Sequence, residues 1–164
     1  MFFSQNHQII PLCSANTPVV TTGVEFDSFN MRGYDNACVI FQFSTTLSAS
    51  AAILTFECGS ADSGDASDLT FHYRTNGSSS GKSASNDVWG DIASASSLTL
   101  TDATYRGKCL LVEFNAKDLP AASKTYEWVT ASIAAAGASA GEVSAYAILS
   151  NYRYAKNAMP TAIA

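Results

Sequence analysis

Large apolar side chains recur at every second position in several stretches of this chain. Val39, Phe41 and Phe43 alternate with Cys38 and Ile40 within Ala37–Thr45, and Leu54, Phe56 and Cys58 follow in Ala51–Cys58. Leu69, Phe71 and Tyr73 alternate with Thr70, His72 and Arg74, and Leu110, Val112 and Phe114 are flanked by Lys108 and Glu113. Val129, Ala131 and Ile133 share one face of a later run, and Val143, Ala145, Ala147 and Leu149 share one face of the last. A period of two predicts strands with one buried face, because successive side chains point to opposite sides of a strand. The stretch 37–45 is apolar on both faces, which predicts a central strand. An earlier strand is predicted over Val19–Phe26, with Val20, Thr22, Val24 and Phe26 on one face. Short strands are predicted over Val88–Ile92 and Leu98–Leu100.

The last two runs are separated by the glycine-bounded sequence GASAG, which predicts the turn of an antiparallel hairpin. A helix is the competing reading for this alanine-rich stretch, but Gly137 and Gly141 would each cost it about 1 kcal/mol. Turn-forming residues separate the remaining runs, at FDSFNMRGYDNA, GSADSGDAS and NGSSSGKSASND, and AKDLPAASKT reads as a helical turn or loop. The count is roughly seven to nine strands with no long helix, the signature of an all-β chain. The expected fold is an antiparallel β-sandwich, jelly-roll-like, over residues 19–153. Residues 1–18, with Pro11 and Pro18, read as an extended N-terminal arm lying on the domain or reaching a neighbour. Residues 154–164, with Pro160, read as a C-terminal tail that leaves it.

Composition narrows the function classes. At 164 residues the chain is one domain able to bury roughly 70% of its unfolded surface, so it needs neither disulfides nor metals to fold. Charged residues make up only 14%, a mild surface suited to packing against another protein or to a secreted β-protein. A net charge of −5, with the basic residues scattered, argues against nucleic-acid binding. The N-terminus lacks the pattern of a signal peptide, and no apolar run is long enough to cross a membrane. The protein is therefore expected to stay in the cytoplasm where it is made, or to leave by lysis.

The candidate chemistry is thin. Cys13, Cys38, Cys58 and Cys109 are isolated, and neither His7 nor His72 sits at ligand spacing from them. They read as free thiols acting as small hydrophobes, with a Cys38–Cys58 bridge as the alternative. Asp62, Asp65 and Asp68 could hold calcium, but the DxDxDG pattern is missing, and a solvated loop is the simpler reading. No GxSxG elbow accompanies the serines, and neither His7 nor His72 has an evident orienting acid nearby in sequence. Glu57, Glu113 and Glu127 fall in separate strand regions, with nothing to position them as a glycosidase pair. No cofactor and no enzymatic activity are expected. Trp89, Trp128, Tyr126, Tyr152 and Tyr154 would make a sugar-stacking platform if aligned, and otherwise fill a core or contact.

Three segments resemble a known family: FDSFNMRGYDNACVIFQF, GKCLLVEFNAKDLPAASKTYEWVTASI and VSAYAILSNYRYAKNAMPTAI. With their D-x-x-x-x-R-G-Y turn, G-K-x-L-x-V-E-x-x-A-x-D-L stretch and A-I-L-S-x-x-R-Y strand, they are similar to the capsid decoration proteins of tailed bacteriophages. These are also called cement or head auxiliary proteins. The resemblance covers residues 25–45 and 105–163, about half the chain, and leaves the middle third unmatched. It implies a β-sandwich on the outside of the phage head, bound to the major capsid protein and to itself as a homotrimer, and stabilising the shell. The expected capsid or intersubunit contacts are the apolar residues of the two arms: Phe2, Phe3, Ile9, Ile10, Leu12, Met159 and Ile163. The alternative is a carbohydrate- or receptor-binding β-sandwich, such as a phage fibre head or a lectin-like module.

Overall fold

The computed structural model describes residues 3, 6–19, 22–48, 52–62, 67–76, 88–120, 127–134 and 140–152. Among them are thirteen strands: β1 (His7–Pro11), β2 (Thr17–Pro18), β3 (Val24–Glu25), β4 (Phe29–Asn30), β5 (Tyr34–Phe43), β6 (Ala52–Gly59), β7 (Ser67–Asp68), β8 (Phe71–Thr75), β9 (Ala93–Ala95), β10 (Ser97–Leu100), β11 (Cys109–Asn115), β12 (Trp128–Ala134) and β13 (Glu142–Tyr152). A single-turn helix, α1 (Asp102–Tyr105), and a 3-10 turn over Ala116–Asp118 complete them.

Two antiparallel sheets form a sandwich. The first runs β1-β13-β5-β11-β8-β9, with β2 extending the β1 edge; the second runs β10-β6-β12-β3, with β4 and β7 at its margins. The alternating runs supply the inner faces of both. Val39, Phe41, Phe43, Leu110, Val112 and Phe114 from the first sheet are buried against Leu54, Phe56, Cys58, Val129, Ala131 and Ile133 from the second. Phe41 meets Phe26 and Phe56 edge-on, and Phe56 meets Phe114 in the same way, so the two layers interlock through aromatic rings. As expected, β5 is central, flanked by β13 and β11.

Strand partners differ from expectation in four places. The runs 128–134 and 142–152 do not form a hairpin: β12 pairs with β6 in one sheet and β13 pairs with β5 in the other. Their buried faces are as predicted, but alternation fixes the face of a strand and says nothing of its partner. The predicted strand 19–26 reduces to the two residues of β3, with Val19 and Phe26 buried and Thr22 exposed. Of Val88–Ile92, only Trp89 pairs, in an isolated bridge to Asn76, and the strand begins at Ala93.

The fourth difference is at the N-terminus. Residues 7–11 are part of the sandwich, since β1 pairs with β13 from His7↔Ser150 to Pro11↔Tyr146. Ile10 and Leu12 are 0% and 1% exposed, and the Tyr34 hydroxyl donates to Gln8 Oε1 at 2.6 Å. Pro11 is tolerated because β1 is an edge strand. The C-terminal tail 154–164 lies outside the described residues.

Candidate contact surface

The two outer faces of the sandwich are chemically different. On the second sheet, outward positions carry Thr55, Glu57, Thr99, Trp128, Thr130, Ser132 and Glu25, with Ile53 the apolar exception. Thr55 and Ser132 share a hydrogen bond of 3.0 Å across the strands. This face is solvated, apart from a buried bond of 2.7 Å between Ser28 and Thr130 near its margin.

On the first sheet, the strand registers set outward side chains in rows that cross the strands. One row is Ile9, Ile148, Cys38, Glu113 and His72; the next is Pro11, Tyr146, Ile40, Leu111 and Arg74. The first three strands therefore contribute an apolar stripe that Leu111 extends onto β11, closed by Glu113 of β11 and by His72 and Arg74 of β8. Ile9 is 54% exposed and Tyr146 42%, while Ile148, Cys38, Ile40 and Leu111 are half-buried. Polar residues border the stripe at both ends: Asn36 and Ser150 at one, Gln42 and Ser144 at the other. An apolar patch with a polar rim is the usual form of a protein-binding surface.

The contact residues expected from the sequence divide into three groups. Phe3 and Ile9 are exposed, each by 54%, and Phe3 stacks on His7 with ring centres 3.9 Å apart. Ile10 and Leu12 are corrected: both fill their own domain's core and have no surface to offer a neighbour. Phe2, Met159 and Ile163 lie outside the described residues. The residues that sequence reasoning missed, Tyr146, Ile148 and Leu111, sit on the opposite face of strands read only for their buried side, whereas Ile40 was read on the second apolar face of 37–45 but not as a contact. The signal was present as apolar character on both faces of 37–45.

The residues considered for catalysis or metal binding are dispersed. Glu57 and Glu113 project from opposite outer faces of the sandwich, and so cannot flank one substrate bond. Glu113 stands across from His72 and 3.8 Å from Arg74. Burial raises the Asp118 carboxyl, but hydrogen bonds from the Asn115 backbone and side chain outweigh it, helped by Lys117 and His72, and hold it below its ordinary range. That carboxylate caps the 3-10 turn, accepting from Asn115 at 3.0 Å. Asp62 and Asp68 are exposed, and Asp65 lies outside the described residues. Of the aromatic candidates, Trp89 lies beside β8 and Trp128 is in the other sheet. Tyr152 packs edge-on against Tyr34, so these three do not line up, and Tyr126 and Tyr154 lie outside the described residues.

All four cysteines are free. Cys58 is on an inner face and Cys38 on an outer one, which excludes a bridge between them. Burial, with Glu57 adding to it, pushes the Cys58 thiol up to about 12, and burial followed by Glu113 and Cys109 pushes Cys38 up to about 11. Both are therefore protonated and poorly nucleophilic at neutral pH.

No family model and no curated protein matches the chain. Among solved structures it is similar to the crystal structure of the SPBc2 prophage-derived protein YomS, at a TM-score of 0.49 and 14% identity, covering 89% of this chain and 94% of that one.

Proposed function

We propose that this chain is a structural virion protein that binds the outside of a phage head and stabilises the major capsid protein lattice as a trimer, without catalytic activity of its own. The observation that carries the reading is the apolar stripe on the outer face of the first sheet, set against the Thr/Ser outer face of the second. A domain that works alone in solution gains nothing from such a face, whereas a subunit of a shell buries it. The sequence segments similar to decoration proteins supply the kind of shell. They include β5, β11 and β13, the strands that carry most of the stripe.

The test is attachment. Purified full-length protein should co-sediment with heads that lack it, saturating at a fixed ratio to the major capsid protein, and those heads should then resist heat or chelator treatment that opens bare ones. Mass spectrometry of purified virions should find the chain at the same ratio. Heads that bind none of it, together with virions that contain none, would discard the reading.

A further inference from the structure

Among the described residues, six of the seven exposed large hydrophobic side chains fall into two groups. Phe3, Ile9 and Tyr146 lie at the β1 edge of the first sheet, where Phe3 is held by its stack on His7 and Tyr146 is paired with Pro11. Val88, Trp89 and Ile92 lie at the other edge, in the segment that leads into β9, with Trp89 bridged to Asn76 and the Gly90 N–H donating to the Thr75 carbonyl at 2.9 Å. Ile53, on the other sheet, is the exception. Five strand spacings separate β1 from β9, about 24 Å, so the two groups cannot cover each other within one chain.

We propose that these two groups meet between copies of the chain. The Val88–Trp89–Ile92 segment of one subunit seats on the Ile9–Tyr146 surface of the next, head to tail around a closed ring. It deepens the trimer of the proposed function and rests on that reading only for the number of subunits. Two arguments favour this occupant. A contact of like with like would cover one group and leave the other in water on both subunits, whereas seating one group on the other covers both at once, and the threefold closure is taken from the proposed function. The areas point the same way. Each group exposes roughly 300 Å² at the ordinary size of these side chains, so one contact buries about 600 Å², well under the roughly 1,200 Å² of a stable pairwise interface. A ring gives every subunit two such contacts, so closure holds together what a single contact would not.

The experiment is the mass of the full-length protein in sedimentation velocity, for wild type, Trp89→Glu, Tyr146→Glu and an equal mixture of the two variants. Wild type should sediment as a ring, and each variant as a monomer with an unchanged circular dichroism spectrum. The mixture should stay below the mass of the ring, because Tyr146→Glu keeps an intact segment and Trp89→Glu an intact surface, which together supply one contact and cannot close. Should either variant misfold, Ile92→Ser and Ile9→Ser replace them. A monomeric wild type at high protein concentration would overturn the proposal, as would a Trp89→Glu variant of unchanged mass or a mixture of the two variants that regains the wild-type mass. Capsid co-sedimentation keeps the two readings apart: attachment of a monomer removes the ring and keeps the coat protein, and a ring that ignores capsids does the reverse.

Discussion

Gly141 and Leu47 approach so closely that a β-carbon on Gly141 would stand 2.7 Å from the Leu47 α-carbon and 3.0 Å from its nitrogen. Gly141 also has φ +113, a conformation that side-chain-bearing residues rarely adopt. The contact lies where β13 begins and β5 has just ended, and the Ala140–Ser48 bridge stitches the same two segments. The obstacle is backbone, which cannot turn aside as a flexible side chain would.

Gly141→Ala should therefore lower stability by about 2–4 kcal/mol, combining the strain of the backbone with the cost of overpacking. Gly90→Ala is the control, since its added carbon meets only the Thr75 carbonyl at 3.4 Å, and it should change the urea midpoint little. Equal midpoints for the two variants would show that the approach at Leu47 has slack.

Truncation of the N-terminus should unfold the domain or severely weaken it. Removing residues 1–15 deletes β1, whose pairing with β13 closes one edge, and takes Ile10 and Leu12 out of the core. The single changes Ile10→Ala and Leu12→Ala should each cost about 2–5 kcal/mol, as should Phe41→Ala at its upper end. Ile9→Ala, on the exposed side of the same strand, should cost under about 1 kcal/mol. Chemical denaturation of the four variants separates the buried Ile10, Leu12 and Phe41 from the outward Ile9.

The buried Ser28–Thr130 hydrogen bond should appear as coupling in a double-mutant cycle. Thr130→Val and Ser28→Ala should each destabilise by about 1–2 kcal/mol, and the double variant by less than the sum. Strict additivity would mean that the 2.7 Å contact contributes nothing.

Alkaline pH should unfold the protein through its buried acids. Below about pH 9 the thiols are neutral in both states and exert no effect. Above it the unfolded thiols ionise, while Cys38 and Cys58 hold their protons to about 11 and about 12, and Tyr105, raised by burial and then by Tyr73, to about 12. A raised folded value means that stability present below pH 9 is lost as pH climbs through that window. Cys58→Ala should flatten the decline, and thiol titration of unfolded, unreduced protein should count four thiols.

Much of this fold was legible in the alternation of side chains, because a two-residue period assigns faces without any knowledge of partners. Phe41, Phe56, Val112, Ala131 and Leu149 are buried as that rule requires. Pairing was not legible: the GASAG linker suits a hairpin as well as a crossing between sheets, and the registers of β12 with β6 and of β13 with β5 distinguish them. β1 was hidden because a five-residue edge strand ending in proline carries too short a pattern. The contact surface was half visible. Apolar residues on both faces of 37–45 pointed to a central strand, and the register then showed that its second face lines up with Tyr146 and Leu111.

Consecutive strands repeatedly change sheet, from β5 to β6, β7 to β8, β9 to β10, β11 to β12 and β12 to β13. Ribbons between immediate neighbours in sequence are accordingly few, and the first sheet is sealed by its first strand meeting its last, as at His7 and Ser150. Such a chain must close long loops before its contacts reward it, which predicts slow folding in which the first sheet is completed only when β13 arrives. Until then the future inner surface of β5 stands open, which predicts a folding intermediate prone to aggregate, its exposure set by the time β13 takes to reach its place.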